Sequence, residues 1–264
     1  MASFTGSALK DVYKDILHTS NSNTGLSTST KTITCGDGDS TALQLSNKQV
    51  GVSPAADGTT TFLVRDKDGN RLLAVDSTND AVKAGLGQHI TNTQYAHFGI
   101  GSGDSVWAGS AAGTHYAVPL RGLQTQALVS GDTSTDPVTS FTIATTGDDM
   151  TACVWYVMDD ITVDRIVWFS GGDASTGEAT RAHLLYYTMD VANGSTSGDL
   201  SSGTVIGASS DITNAGYEQV YYNQMTLTSD VDVDAGKAIM FFFRADSTVN
   251  SDYTINATIK YHLR

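Results

Sequence analysis

A chain of 264 residues carries 15 Lys and Arg against 28 Asp and Glu, a formal net charge of −13 with His neutral. That balance repels phosphate backbones and excludes nucleic acid as a partner. The length suits one large domain or two smaller ones. Abundant Gly, Ser, Thr and Asp with little Glu disfavours long surface helices and favours many strands with polar turns. The charge is lopsided: residues 1–99 hold eight basic and nine acidic side chains, residues 100–264 seven and nineteen.

Residues 7–18 predict the one helix. Leu9, Val12, Tyr13, Ile16 and Leu17 fall on a single apolar stripe, and Ser7 is suited to cap it. A lone helix of this length is marginal in water, so its stripe needs a partner. The expected partner is a three-helix bundle or another protein of the same assembly. Residues 1–20 are thus an anchoring segment. Residues 21–41, dense in Ser, Thr, Asn and Gly, are a linker or loosely wound shaft, within which Lys31 to Cys35 suit one short strand.

Residues 42–99 are expected to form a β collar. Its centre, residues 59–86, reads strand, turn, strand, turn, strand, with Asp68-Gly69 at the first turn. So short a set of strands buries too little apolar surface to stand alone, which points to several copies associating. Phe62, Val64, Leu73 and Val75 are the expected contacts there. Residues 88–118 are read as irregular loops and short strands that join collar to outer domain.

Residues 100–264 are expected to be an outer domain. Strands are read at Ser140–Ala144, Ala152–Met158, Thr162–Ser170, Arg181–Asp190, Thr204–Ala208, Gln219–Thr228, Lys237–Ala245 and Tyr253–Leu263. About eight strands with long polar loops suggest a jelly-roll β-sandwich. The last strand alternates cleanly, with Tyr253, Ile255, Ala257, Ile259, Tyr261 and Leu263 on one face. Lys237–Ala245 is apolar on both faces. Met240 and Phe242 therefore join the candidate contacts between copies.

Three stretches resemble fibre-like virion proteins of tailed bacteriophages, especially those of marine bacteria. DKDGNRLLAVDSTNDAVKAG, from Asp66, resembles their strand-turn-strand unit. SDYTINATIKYHLR, from Ser251, resembles their closing strand, and the segment from Cys153 to Asp164 completes the likeness. The resemblance implies a homotrimeric structural protein of the virion, on head or tail, in contact with other capsid or tail proteins.

The residues offer little chemistry, and no catalytic, cofactor or metal site is expected. Asp148-Asp149 and Asp159-Asp160 are weighed as glycosidase carboxylates, but adjacent residues on a strand point to opposite faces, and both pairs fall at turns. Asp230, Asp232 and Asp234 do not match a calcium loop, because Gly236 is seventh and Phe241 twelfth. Asp66, Asp68 and Asn70 fail similarly. The six histidines lack zinc spacing, and Cys35 and Cys153 are expected to be idle thiols. Tyr186, Tyr187, Tyr221 and Tyr222 are candidates to stack on sugars if exposed; adjacent tyrosines otherwise divide between core and subunit contact. No secretory h-region or membrane-length apolar run is found, so no membrane insertion is expected.

The chain is therefore expected to be mainly β: a short N-terminal helix, a trimeric β collar and a C-terminal jelly roll. It is expected to be a non-enzymatic component of a virion assembled in the host cytoplasm. The alternative is a receptor-binding adhesin whose loops (171–180, 193–203, 209–217, 246–252) recognise a host surface glycan or protein. A tailspike depolymerase comes third.

Overall fold

The computed structural model describes residues 16–19, 25–100, 113–120, 136–142, 150–173, 176–190, 199–216, 219–246 and 252–264. Those residues are mainly β. The chain divides into two compact units, Met1–Thr91 and Asn92–Arg264.

The first unit holds two antiparallel meanders. The first joins β1 (Lys31–Thr34), β2 (Ser40–Leu45) and β3 (Val50–Val52) in that order. Part of the expected linker is thus sheet. Residues 7–15 of the expected helix, with Leu9, Val12 and Tyr13, lie outside the described residues. Ile16 and Leu17 are not helical, and His18 pairs antiparallel with Thr34, so the helix does not reach His18. Backbone pairing with a strand wins there over the apolar period.

The second meander joins β4 (Phe62–Arg65), β5 (Arg71–Asp76), β6 (Ala81–Ala84) and β7 (His89–Ile90). The turn between β4 and β5 is built by Asp66. Its Oδ1 accepts the N–H groups of Asp68 and Asn70, and its Oδ2 accepts the Asn70 amide. Gly69 supplies the positive φ, 85°. The Asp66 carboxylate is thereby committed to its own turn, the ordinary role of Asp there.

The second unit is two packed sheets. The first has the order β16-β12-β20-β8: β8 (Thr93–Ile100), β12 (Ile161–Asp173), β16 (Gln219–Gln224) and β20 (Asp252–Leu263). The second is built on β13 (Ala179–Asp190), β14 (Asp199–Ala208) and β19 (Lys237–Ala245), in the order β14-β13-β19. The free side of β19 takes β9 (His115–Val118) and β11 (Trp155–Tyr156). Short pieces complete the sheets: β10 (Phe141–Thr142) and β17 (Thr226–Leu227) on β14, β15 (Ile212–Thr213) on β13, and β18 (Asp232–Val233) on β12.

Between the sheets lies a core that includes Phe98, Ile166, Trp168, Phe241, Phe243, Ile255 and Ile259. Trp168 meets Phe241 and Phe243 edge-on, the arrangement aromatic quadrupoles favour. The closing strand has the expected register: Tyr253, Ile255, Ala257 and Ile259 are buried, and Thr254 and Asn256 exposed.

Residues 93–100 are not an irregular join; they are a full strand, β8, paired with β20 from Thr93 to Ile100. Alternate Ala96, Phe98 and Ile100 face the core, while Tyr95 and His97 face out. The expected strand Ala152–Met158 is a 3-10 turn at Met150–Cys153 followed by two residues of strand. The expected strand Gln219–Thr228 breaks at Met225, whose N–H binds the Ile166 carbonyl. There the chain passes from the first sheet to the second.

Candidate binding surfaces

Pairing registers place Phe62, Val75 and Val82 in one row across β4, β5 and β6, and Val64, Leu73 and Ala84 in the next. With a side-chain period of two, all six share one face. Phe62, Val64 and Val82 are each about 40% exposed, and Leu73 and Val75 half-buried. The four expected contact residues are thus brought together, with Val82 and Ala84 added. The buried apolar side chains of this unit are Ile33, Ala74 and Ala81, among the described residues. Sets of this size leave a strand group without a core of its own.

The opposite face carries a buried charge. Asp76 is excluded from solvent. Lys83 Nζ lies 2.7 Å from its Oδ2, and the Asn79 backbone N–H and side-chain amide complete the shell. Those donors, Lys83 first and Asn79 second, hold the carboxyl down at about 2.

Met240 and Phe242, expected as contacts between copies, lie on a face of β19 that the chain itself covers. Both are buried with Ala117, Cys153, Leu185, Tyr187 and Leu200 in a second apolar cluster. Residues 136–142 strap this face. The Tyr187 hydroxyl donates to the Val138 carbonyl at 2.7 Å, and the Gly203 N–H to the Thr139 carbonyl at 2.9 Å. Two apolar faces on one strand announce two coverings, but the period does not say which chain supplies them.

The outer face of the first sheet is different. Three rows run across it. Arg165 faces Lys260, which faces Tyr95; Val167 faces Thr258, which faces His97; Tyr222 faces Phe169, which faces Asn256. Tyr95, Arg165, Val167, Tyr222, Thr258 and Lys260 line a groove of about 320 Å³. The Arg165 guanidinium donates to the Tyr222 hydroxyl at 3.2 Å, and the Phe169 and Tyr222 rings lie 5.4 Å apart.

The other sequence candidates scatter. Tyr187 is buried, Tyr186 packs against the main core, and the Tyr221 hydroxyl on β16 is tied to the loop at Asn214 and Ala215, so Tyr222 is the exposed member. Tyr95 and Phe169 belong with it and are missed by a search for adjacent tyrosines. Asp148 and Asp149 lie outside the described residues. Asp160 caps the turn at Ala235. Asp232 and Asp234 both hold Arg264. Cys35 and Cys153 form no disulfide with one another. Among the described residues, no cluster of three His, Cys, Asp or Glu could hold a metal, and no helix is long and apolar enough to cross a membrane.

Neither family models nor curated proteins match this chain. The surfaces have to be read from their own chemistry.

Proposed function

We propose that this chain is a non-enzymatic structural component of a tailed-phage virion, a homotrimer joined through its first unit. The observation that carries the reading is the apolar face Phe62, Val64, Leu73, Val75, Val82 and Ala84. It belongs to a unit that buries three apolar side chains among its described residues. Copies of that face, brought together about a threefold axis, supply the missing core; closed symmetry is the common outcome for such self-association.

The second unit is a jelly roll in this reading. Counting its eight principal strands in chain order as β8, β9, β12, β13, β14, β16, β19 and β20, the first sheet runs 1-8-3-6 and the second 2-7-4-5. That interleaving of early and late strands is the order two nested Greek keys produce. The virion assignment itself rests on the resemblance of residues 66–85 and 251–264 to fibre-like phage proteins. An acidic outer unit also suits a protein displayed in many copies, because like charge keeps it soluble.

Sedimentation equilibrium of the full chain tests the trimer. Three copies are expected, and Val64→Asp with Val82→Asp is expected to give a monomer whose second unit keeps its near-ultraviolet dichroism. A parent chain that is monomeric and folded overturns the reading. Gold labelling of intact particles tests the virion assignment.

A further inference from the structure

We infer that the outer face of the sheet β16-β12-β20-β8 is a binding site for an acidic, carboxylate-bearing glycan. It goes beyond the structural role and does not depend on the oligomeric state. Arg165 and Lys260 stand directly opposite each other across β12 and β20. Like charges at such a position repel and destabilise the pair. The second unit carries nineteen acidic side chains and could neutralise them, yet neither makes an ion pair among the described residues. Arg181, Arg244 and Arg264, by contrast, each take a carboxylate. Asp164, the acid next to Arg165, is engaged by His262 at 2.9 Å. These carboxylates pair elsewhere, and two adjacent cations, Arg165 exposed and Lys260 half-buried, border the groove.

Two tyrosines, Tyr95 and Tyr222, line that groove, and Phe169 lies beside Tyr222 on the same face. Tyr95, Phe169 and Tyr222 are between 43% and 59% exposed, and Val220 extends the patch from the end of β16. Flat apolar rings beside hydrogen-bonding groups suit a sugar ring, which presents an apolar face and a rim of hydroxyls. Thr258, Asn256 and the His97 ring, itself 3.1 Å from Thr258 Oγ1, supply the polar partners. Two cations beside such a platform select a sugar bearing a carboxylate, which an Arg fork meets in bidentate geometry. The volume, about 320 Å³, lies at the small end of the usual range for ligand sites. A nucleic-acid strand also stacks on aromatics, but it needs a continuous cationic track, and two cations on a unit of net −12 do not make one.

Calorimetric titration of the full chain tests the site with four probes at physiological salt. They are oligogalacturonate, oligosialic acid, methyl-esterified oligogalacturonate, which has the same rings without the charge, and oligo(dT). At least one acidic probe is expected to bind, and at least tenfold more tightly than the ester. Arg165→Gln, Lys260→Gln and Tyr222→Ala are each expected to weaken that binding tenfold or more with the dichroism spectrum unchanged. Four results overturn the inference: neither acidic probe binds; the ester binds as well; oligo(dT) binds as tightly; or the three variants leave acidic-probe binding intact. Sedimentation of the same variants provides a fifth. If they change the oligomeric state, the face is a contact between copies and not a glycan site. The collar variants Val64→Asp and Val82→Asp change no residue that lines this groove, so failure of the trimer reading and failure of this one are separable.

Discussion

The imidazole rings of His115 and His183 meet edge to face on the strapped side of the second sheet, centroids 5.0 Å apart, both buried. His183 Nε2 lies 3.4 Å from the Asp136 carboxylate on the strap. Arg181 stands on β13 with His183, and Arg244 on β19 is paired with His115 of β9. Burial first, then the field of His115, holds the His183 pKa down at about 4 against the attraction of Asp136.

That depression has a definite sign. In the unfolded chain His183 takes up its proton near pH 6.5, in the folded chain near 4. Between those values the unfolded state binds more protons, so stability falls as pH drops from about 6.5 to about 4, by roughly 3 kcal/mol in all. Below that window this residue adds nothing further. Urea titrations of the second unit, followed by Trp fluorescence from pH 7.5 to 3.5, should show this slope. His183→Asn should flatten it.

Asp76 works in a lower window and in the first unit. Its folded pKa is depressed to about 2 by Lys83 and Asn79, so its contribution is present above the unfolded value near 3.9 and is lost as pH falls toward 2. Hydrogen exchange of β5 and β6 amides at pH 5, 3.5 and 2.5 should show protection falling over the last two steps. Lys83→Met should lower protection at pH 5 and remove most of the difference between the steps.

How far these features can be read from the sequence depends on what the pattern encodes. The closing strand is legible because every second residue from Tyr253 to Leu263 is apolar, and one face of it meets the core. The shared face of Phe62, Val64, Leu73 and Val75 is legible for the same reason. β8 is hidden because Gly99, Gly101 and Gly103 read as loop, while its outward Tyr95 looks like an isolated aromatic. The break at Met225 is hidden because the apolar pattern continues across a change of sheet. Most of all, the Arg165–Lys260 pairing is invisible: the two lie 95 positions apart in the numbering, and the register that opposes them depends on a bulge between Val163 and Arg165. Such a bulge moves every later side chain to the other face.

The strap over the second apolar cluster can be tested at Gly203. A Cβ there would sit 2.6 Å from Tyr187 Cε1 and 2.9 Å from the Thr139 backbone. The ring can turn aside; the backbone has to move. Gly203→Ala is expected to cost roughly 1–3 kcal/mol, the usual range for forced overpacking. Tyr187→Phe, which loses only the hydrogen bond to Val138, is expected to cost about 1 kcal/mol. Chemical denaturation of the two variants gives the order. Equal, negligible effects would show that residues 136–142 do not hold this face.

The closing strand allows the most direct test of the sandwich. Ile259 is fully buried, opposite Ile166 on one neighbour and Ala96 on the other. Ile259→Asp puts an unpaired carboxylate into that core, which costs several kcal/mol or forces protonation. The second unit is expected to be insoluble or unfolded. Asn256 lies on the same strand but points outward, opposite Phe169 and Gly99. Asn256→Asp adds the same charge to the same strand and is expected to change stability by about 0.5 kcal/mol or less. Ile259→Val removes one methylene and is expected to cost about 0.5–1.5 kcal/mol, which calibrates the site without any charge. Yield of soluble protein and urea midpoints measure all three. Both Asp variants share strand, charge and neighbourhood, so a difference between them reports the direction of the side chain. If they behave alike, the face assignment of β20 is wrong, and with it the outward position of Lys260.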